Sequence, residues 1–312
     1  MRVEFRHPAV RDLAWVIGSP LLLASGPGLY APQRVTERWR RLAFWDRIPW
    51  LRALDHRPEP LERWLAERPS QRLGRRFEVL VAFWLHHWRR TELRAAGVSV
   101  VDPGRRTVGE FDFLFCDRGR DRWVHWEAAV KFYLYHRDGN GAVQWLGPNP
   151  QDRLEHKLAR LVEHQLRLGR RPEAGPVLNR LGVQDPVPEA YVKGYLFYPA
   201  GDAPSAPPEV APGHLRGWWT RAGERHIPRH GAETRWVVLE RMGWLARVRV
   251  DEAAGVGWEG LQELLDRAFR GGVRPLLLAE LQRGRDRRWG EVSRGFVVPD
   301  GWPAQAADGT VD

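Results

Sequence analysis

The stretch Gly109–Tyr135, GEFDFLFCDRGRDRWVHWEAAVKFYLY, decides the fold class. Phe111, Phe113 and Phe115 alternate with Glu110, Asp112 and Leu114, the period of two that marks a strand. Asp117–Asp121 (DRGRD) has hairpin-turn chemistry, and the WVHWEAAVKFYLY that follows reads as a second, long strand. Glu127 and Lys131 also stand at the i, i+4 spacing of a helical ion pair, which contributes roughly 0.2–0.5 kcal/mol. The turn before them, the aromatic and valine content and the short length favour the strand.

Around this hairpin the period changes. LGRRFEVLVAFWLHHWRR sets Leu73, Phe77, Leu80, Val81, Trp84, Leu85 and Trp88 at helical spacing, a buried helix. VSVVD, residues 98–102, reads as a strand. QDRLEHKLARLVEHQLRLG predicts a helix over Asp152–Leu168 that starts after the break Gly147-Pro148-Asn149-Pro150. AYVKGYLFYP, residues 190–199, is another strand. The order helix, strand, strand, strand, helix, strand predicts an α/β core over 71–200, a mixed sheet flanked by helices.

Residues 1–70 read as a helical lead-in punctuated by Pro32, Pro49, Pro58, Pro60 and Pro69, with an amphipathic helix at Pro8–Ile17 and a buried apolar segment at Pro20–Ser25. GDAPSAPPEVAPGH, 201–214, is a Pro-rich connector. Residues 201–312 form an appended α+β portion, with strands in RWVVLERMGWLARVRV and a helix in GLQELLDRAF, and the last residues, 304–312, fray.

At 312 residues and 43% apolar content, with 17 Trp, the chain can bury a large core. The net charge of +10 favours an anionic partner, nucleic acid ahead of a membrane surface. Cys116 stands alone, which excludes an internal disulfide framework and a cysteine-based zinc site. No stretch is long enough to span a bilayer, and Glu4, Asp12 and the Gly18-Ser19-Pro20 interruption speak against a signal peptide, so the expected location is cytoplasmic. Walker, GxSxG and GxGxxG motifs are missing.

Of the 49 basic residues only Lys131, Lys157 and Lys193 are lysine. Lysine is a compact ammonium that can approach a reacting oxygen, where arginine presents a planar fork. In strands, Glu110 and Asp112 share one face, and Glu127, Ala129 and Lys131 share another. Carboxylates so placed suit Mg²⁺ or Mn²⁺, and a metal with a nearby ammonium describes phosphodiester hydrolysis.

GEFDFLF, a turn and E...VKFYL resemble the core of the PD-(D/E)XK nuclease superfamily, which has an Asp ending one strand and Glu-x-Lys on the next. The whole chain also resembles an uncharacterised bacterial family of about this length assigned to that superfamily. The resemblance implies a restriction-endonuclease-like core, Asp112 and Glu127 as metal ligands, Lys131 as the catalytic lysine and Glu78 as a supporting acid. It further implies that the helix after the second strand touches substrate, with Lys157, Gln165, Arg160 and His164 as candidates. One departure stands out: the acidic residue belongs two before Lys131, where the chain has Ala129, and Glu127 lies four away, about 13 Å along a regular strand. A bulge at Ala128-Ala129 that draws Glu127 inward, convergence of two long side chains over Ala129, and an inactive site are the open alternatives. The last makes the protein a nucleic-acid-binding or protein-interaction module that keeps the fold.

Two patches mix aromatic and basic residues, FWLHHWRR (83–90) and HLRGWWTR (214–221). In the first, Trp84 and Trp88 continue the apolar face, and His86 and His87 read as packing or capping groups. In the second, the adjacent Trp218 and Trp219 predict one ring turned outward or into a cleft.

Overall fold

The computed structural model describes residues 4–24, 35–202, 204–231, 233–252, 254–270 and 274–304. Pro32, Ser25 and the tail beyond Ala304 lie outside the described residues. Seven α-helices and ten strands are described. The fold is mixed α/β, with strands hydrogen-bonded in the order β1-β2-β3-β5-β6-β10-β9-β7, β4 on β3 and β8 on β10. Their ranges are β1 Thr91–Val101, β2 Thr107–Asp117, β3 Arg122–Arg137, β4 Val143–Leu146, β5 Val187–Pro199, β6 Leu215–Arg221, β7 Thr234–Val238, β8 Arg249–Val250, β9 Leu276–Arg283 and β10 Trp289–Val298.

Two compact units divide the chain: residues 1–130, 156–194 and 207–214 in one, residues 131–155, 195–206 and 215–312 in the other. In the first, helix α1 (Pro8–Gly18) starts on a proline whose fixed φ suits a first helical turn. Its buried Asp12 pairs with Arg76 at 3.1 Å. Helix α2 (Glu37–His56) is capped by Thr36, whose side chain accepts from the Trp39 amide at 3.2 Å. The sequence predicts a break at Pro49, yet α2 runs through it. Proline removes one helical hydrogen bond, and here both Pro49 and Trp45, whose carbonyl loses its donor, are exposed, so water can serve the freed oxygen.

After α3 (Glu59–Ala66), helix α4 (Leu73–His87) carries the apolar run expected of it and is buried from Phe77 through Leu85 except at Glu78. Trp88 is buried just past its end. Trp84 reaches Trp126 of β3 at 5.8 Å between ring centroids, and Trp126 stacks on Tyr191 of β5 at 4.4 Å, so rings lock this helix to the sheet. His87 Nδ1 lies 2.8 Å from the Phe83 carbonyl, the local backbone contact expected of a histidine near a helix end.

The helix expected over Asp152–Leu168 is shorter. Helix α5 spans Leu154–Glu163, His164 leaves helical geometry at φ −118°, and Gln165–Arg170 continues as a 3-10 segment. That tighter winding lets Leu166 and Leu168, two apart, both be buried. Helix α6 (Ala174–Leu181) follows and closes an apolar cluster with Val100, Phe111, Leu114 and Leu168.

In the second unit β6 lies parallel to β10, and β10 antiparallel to β9. Helix α7 (Trp258–Phe269) buries Leu261 and Leu265 against Trp218, Trp236 and Leu278. Trp218 and Trp219 are both buried, which leaves neither ring turned outward. Trp218 gives its indole N–H to Ser293 Oγ, and Trp219 packs on Trp302. A strand's alternation separates the two rings onto opposite faces, and both faces are covered.

Candidate functional site

The site is built on the β2–β3 hairpin. Asp117 Oδ1 accepts from the Gly119 and Arg120 amides at 2.9 and 3.1 Å, which fixes the turn. The antiparallel register then runs from Asp117↔Arg122 to Phe113↔Trp126, and no bulge interrupts it. One rung further, this register sets Asp112 across from Glu127. There the ladder stops, and Asp112 Oδ2 takes the Ala128 amide at 2.9 Å, capping the hydrogen bond that the strands no longer make.

Asp112 and Glu127 sit near enough for each carboxyl to act on the other's proton affinity. Burial pushes the Asp112 carboxyl up to about 8, the Glu127 charge adds to this, and the Ala128 amide opposes it. Burial likewise pushes Glu127 up to about 8, opposed by the Lys157 charge and by the hydrogen bond to Asp112. Glu78 raises both and Glu110 raises Glu127. Two neighbouring carboxyls, one buried and one half-buried, resist ionising together, so both are pushed toward the protonated form.

Both oxygens of Glu127 have further partners. His125 Nε2 sits 2.8 Å from Oε1, and Gln165 Nε2 donates to Oε2 at 2.7 Å. The amide oxygen of Gln165 accepts from Lys157 Nζ at 2.9 Å, which joins the α5 ammonium to the carboxylate through one side chain. His125 is 1% exposed, and burial drops its imidazole to about 4, so the ring is neutral at pH 7. Its Nδ1 has no hydrogen-bond partner.

Of the residues expected from the sequence, Asp112, Glu127, Gln165 and Lys157 therefore come together, and Glu78 acts on the pair through its charge. Glu78 also pairs with Arg75 at 2.9 Å. Lys131 is engaged otherwise: its Nζ donates to Asp152 Oδ2 at 2.6 Å, and Tyr133 donates to the other Asp152 oxygen at 3.1 Å. Arg160 and His164 are exposed. Among the described residues no group of three or more His, Cys, Asp and Glu side chains is placed to hold a metal ion. Sequence reasoning passed over His125, although the strand period of two puts it on the face of Glu127.

A family model described as "Domain of unknown function (DUF1853)" matches residues 11–298, which include every residue of this site. The chain belongs to that family. No curated protein and no solved structure matches it. The resemblance of the DUF1853 chain to PD-(D/E)XK nucleases thus rests on the residues of the hairpin and not on a matched relative. Among the described residues, no helix of this DUF1853 chain is long and apolar enough to cross a membrane.

Proposed function

We propose that this protein is a metal-dependent phosphodiester hydrolase of nucleic acid, with Asp112 and Glu127 as its metal-binding carboxylates on a restriction-endonuclease-like core. The observation that carries this reading is the carboxyl pair itself: two acids from adjacent strands, Glu127 buried and Asp112 half-buried, each raising or lowering the other's proton affinity, with an amine one side chain away. Burying such a pair costs several kcal/mol unless it is matched by a cation or a proton.

Mg²⁺ or Mn²⁺ fits this donor set, because Mg²⁺ is commonly held by one or two carboxylates and keeps its waters. Bound there, such an ion would supply an activated water and neutralise charge on the phosphate. The rest falls to the chain. Asp112 and Glu127 would give up their protons as the cation arrives. Gln165 holds Glu127 in one rotamer, and Lys157 brings the positive charge that favours the ionised pair. In this reading Lys157, from α5, does what the resemblance assigns to Lys131, and Ala129 ceases to be an obstacle, since Glu127 need not lie beside Lys131. The cytoplasm is the location this reading expects, and the lone Cys116 suits a reducing compartment.

Cleavage of linear, circular and single-stranded DNA and RNA in Mg²⁺ and in Mn²⁺ tests the reading. Asp112→Asn and Lys157→Ala should each lower the rate at least ~100-fold, the scale of a lost transition-state contact, with folding intact, whereas Lys131→Ala should stay within about threefold. Loss in Lys131→Ala with activity kept in Lys157→Ala would return the role to Lys131. A second reading, a binding module without hydrolysis, is favoured by the protonated state of the pair at neutral pH. It predicts no cleavage on any substrate, with nucleic-acid binding unchanged by either substitution.

A further inference from the structure

A cavity of about 270 Å³ lies beside the carboxyl pair, lined by His125, Leu166, Gly169, Arg170, Asp185 and Pro186 among others. Its volume falls just under the roughly 300–1,000 Å³ of drug-sized ligand pockets, room for one small ring system with a short polar appendage. Leu166, Gly169 and Pro186 supply the apolar part of its lining. Arg170 and Asp185 are exposed at its edge. Neither makes a side-chain hydrogen bond or ion pair among the described residues, so a cation and an anion stand available at the mouth.

Among the lining residues His125 is the one buried polar side chain. With Nε2 committed to Glu127, Nδ1 is the ring atom left over, and it is unpartnered in a residue 1% exposed. A buried nitrogen without a partner costs about 1–3 kcal/mol, a cost that an occupant bearing a matching group would remove. The same ring bonds Glu127 and is part of the cavity lining. Whatever fills the cavity is therefore held one imidazole away from Glu127.

We propose that this cavity is a nucleotide subsite that takes a single unstacked nucleobase, its edge hydrogen-bonded to His125 Nδ1 and its phosphate drawn by Arg170. This rests on the hydrolase reading for its biological sense, because a base so seated brings its own phosphodiester toward Asp112 and Glu127. Proteins that read single-stranded nucleic acid or extrude a base seat it in such pockets, between apolar side chains and a few polar groups aimed at its edge. The subsite makes the protein one for single strands, ends or flipped nucleotides and gives it a base preference.

Adenosine, guanosine, cytidine and uridine 5′-monophosphates, titrated in turn by calorimetry with His125 followed by NMR, provide the test. At least one should bind one to one and move the His125 ring resonances, while ribose 5-phosphate, which lacks the base, should bind at least ten times more weakly. A Cβ on Gly169 would meet Pro186 and Phe111 only at 3.7 and 3.9 Å, so Gly169→Leu can fold while its branch fills the cavity. That variant should lose at least tenfold in affinity, and Arg170→Ala should weaken the phosphorylated ligand more than the free nucleoside. No binding by any monophosphate, equal binding of ribose 5-phosphate, or unchanged binding by a folded Gly169→Leu overturns the subsite. The native chain keeps the two readings apart: monophosphate binding without cleavage of any nucleic acid leaves the subsite standing and sinks hydrolysis, and cleavage without monophosphate binding does the reverse.

Discussion

Asp112, Glu127 and His125 are three titratable groups in one buried contact, and their pKa values are displaced in opposite directions from their ordinary ranges. A carboxyl raised on folding contributes stability that is fully present below its unfolded value near 4 and lost as the pH climbs through about 8. An imidazole lowered to about 4 contributes stability present above about 6.5 and lost as the pH falls toward 4. From pH 4 to 6.5 the two trends oppose each other. From 6.5 to 8 only the carboxyls of this group titrate, so urea unfolding should show stability falling over that interval, by on the order of 2 kcal/mol for each carboxyl that stays protonated. Asp112→Asn should flatten the fall, and Mn²⁺ at pH 8.5 should restore stability in the native chain but not in Asp112→Asn, since a ligand that binds the folded state alone stabilises it by mass action. A flat profile in the native protein would mean that the pair is solvated and would remove the basis of the metal site.

At the scale of elements, the 3-10 segment after α5 governs the site, because it carries Gln165. It rests on β2 where Gly109 leaves room: a Cβ at that position would come 2.8 Å from Leu168 Cδ1. Gly109→Val should push the segment outward, costing about 1–3 kcal/mol as overpacking does, and should part Gln165 from Glu127. Cleavage should then fall further than the loss of stability explains, and a variant that unfolds more easily yet cleaves at the native rate would show that Gln165 does not position Glu127. The sequence displays little of this segment. Leu154, Leu158 and Leu161 keep helical spacing and conceal the break at His164. By contrast α4 and the β2–β3 hairpin are legible, because burial on a fixed face writes their period into the side chains, and with the hairpin come Asp112 and Glu127. The first half of β1 is not legible: Glu92 through Gly97 are largely unburied and poor in strand-forming residues, and they are strand because β2 offers a ladder. Nor could spacing show that Lys131 is taken by Asp152, which returns to β3 only after the loop around Gly147-Pro148-Asn149-Pro150.

For the whole molecule the dominant physical fact is charge, +10 with a pI near 10.5, carried almost wholly by arginine. Arginine pairs bidentately with phosphates and stacks on flat rings, so an arginine surface suits a nucleic acid better than a lysine surface of equal charge. The lysines are placed differently: Lys157 on Gln165, Lys131 on Asp152, and Lys193 fully buried, donating to the Ser19 carbonyl, where burial drives its amine well below the ordinary lysine range. Each meets a particular acceptor, and the bulk field is left to arginine. If that field holds a nucleic acid, binding must release counterions, and the logarithm of the affinity for a single strand should fall with that of salt at a slope of about −0.7 per phosphate contacted. Four contacts give roughly −3, or about a fiftyfold loss between 50 and 200 mM salt. Asp112→Asn removes an acid near the phosphate path and should raise affinity at pH 8.5 severalfold while leaving the slope unchanged, because no phosphate contact is added. A slope near zero would instead mark the arginine surface as a site for an acidic protein or as plain solvation, and would separate the fold from nucleic acid altogether.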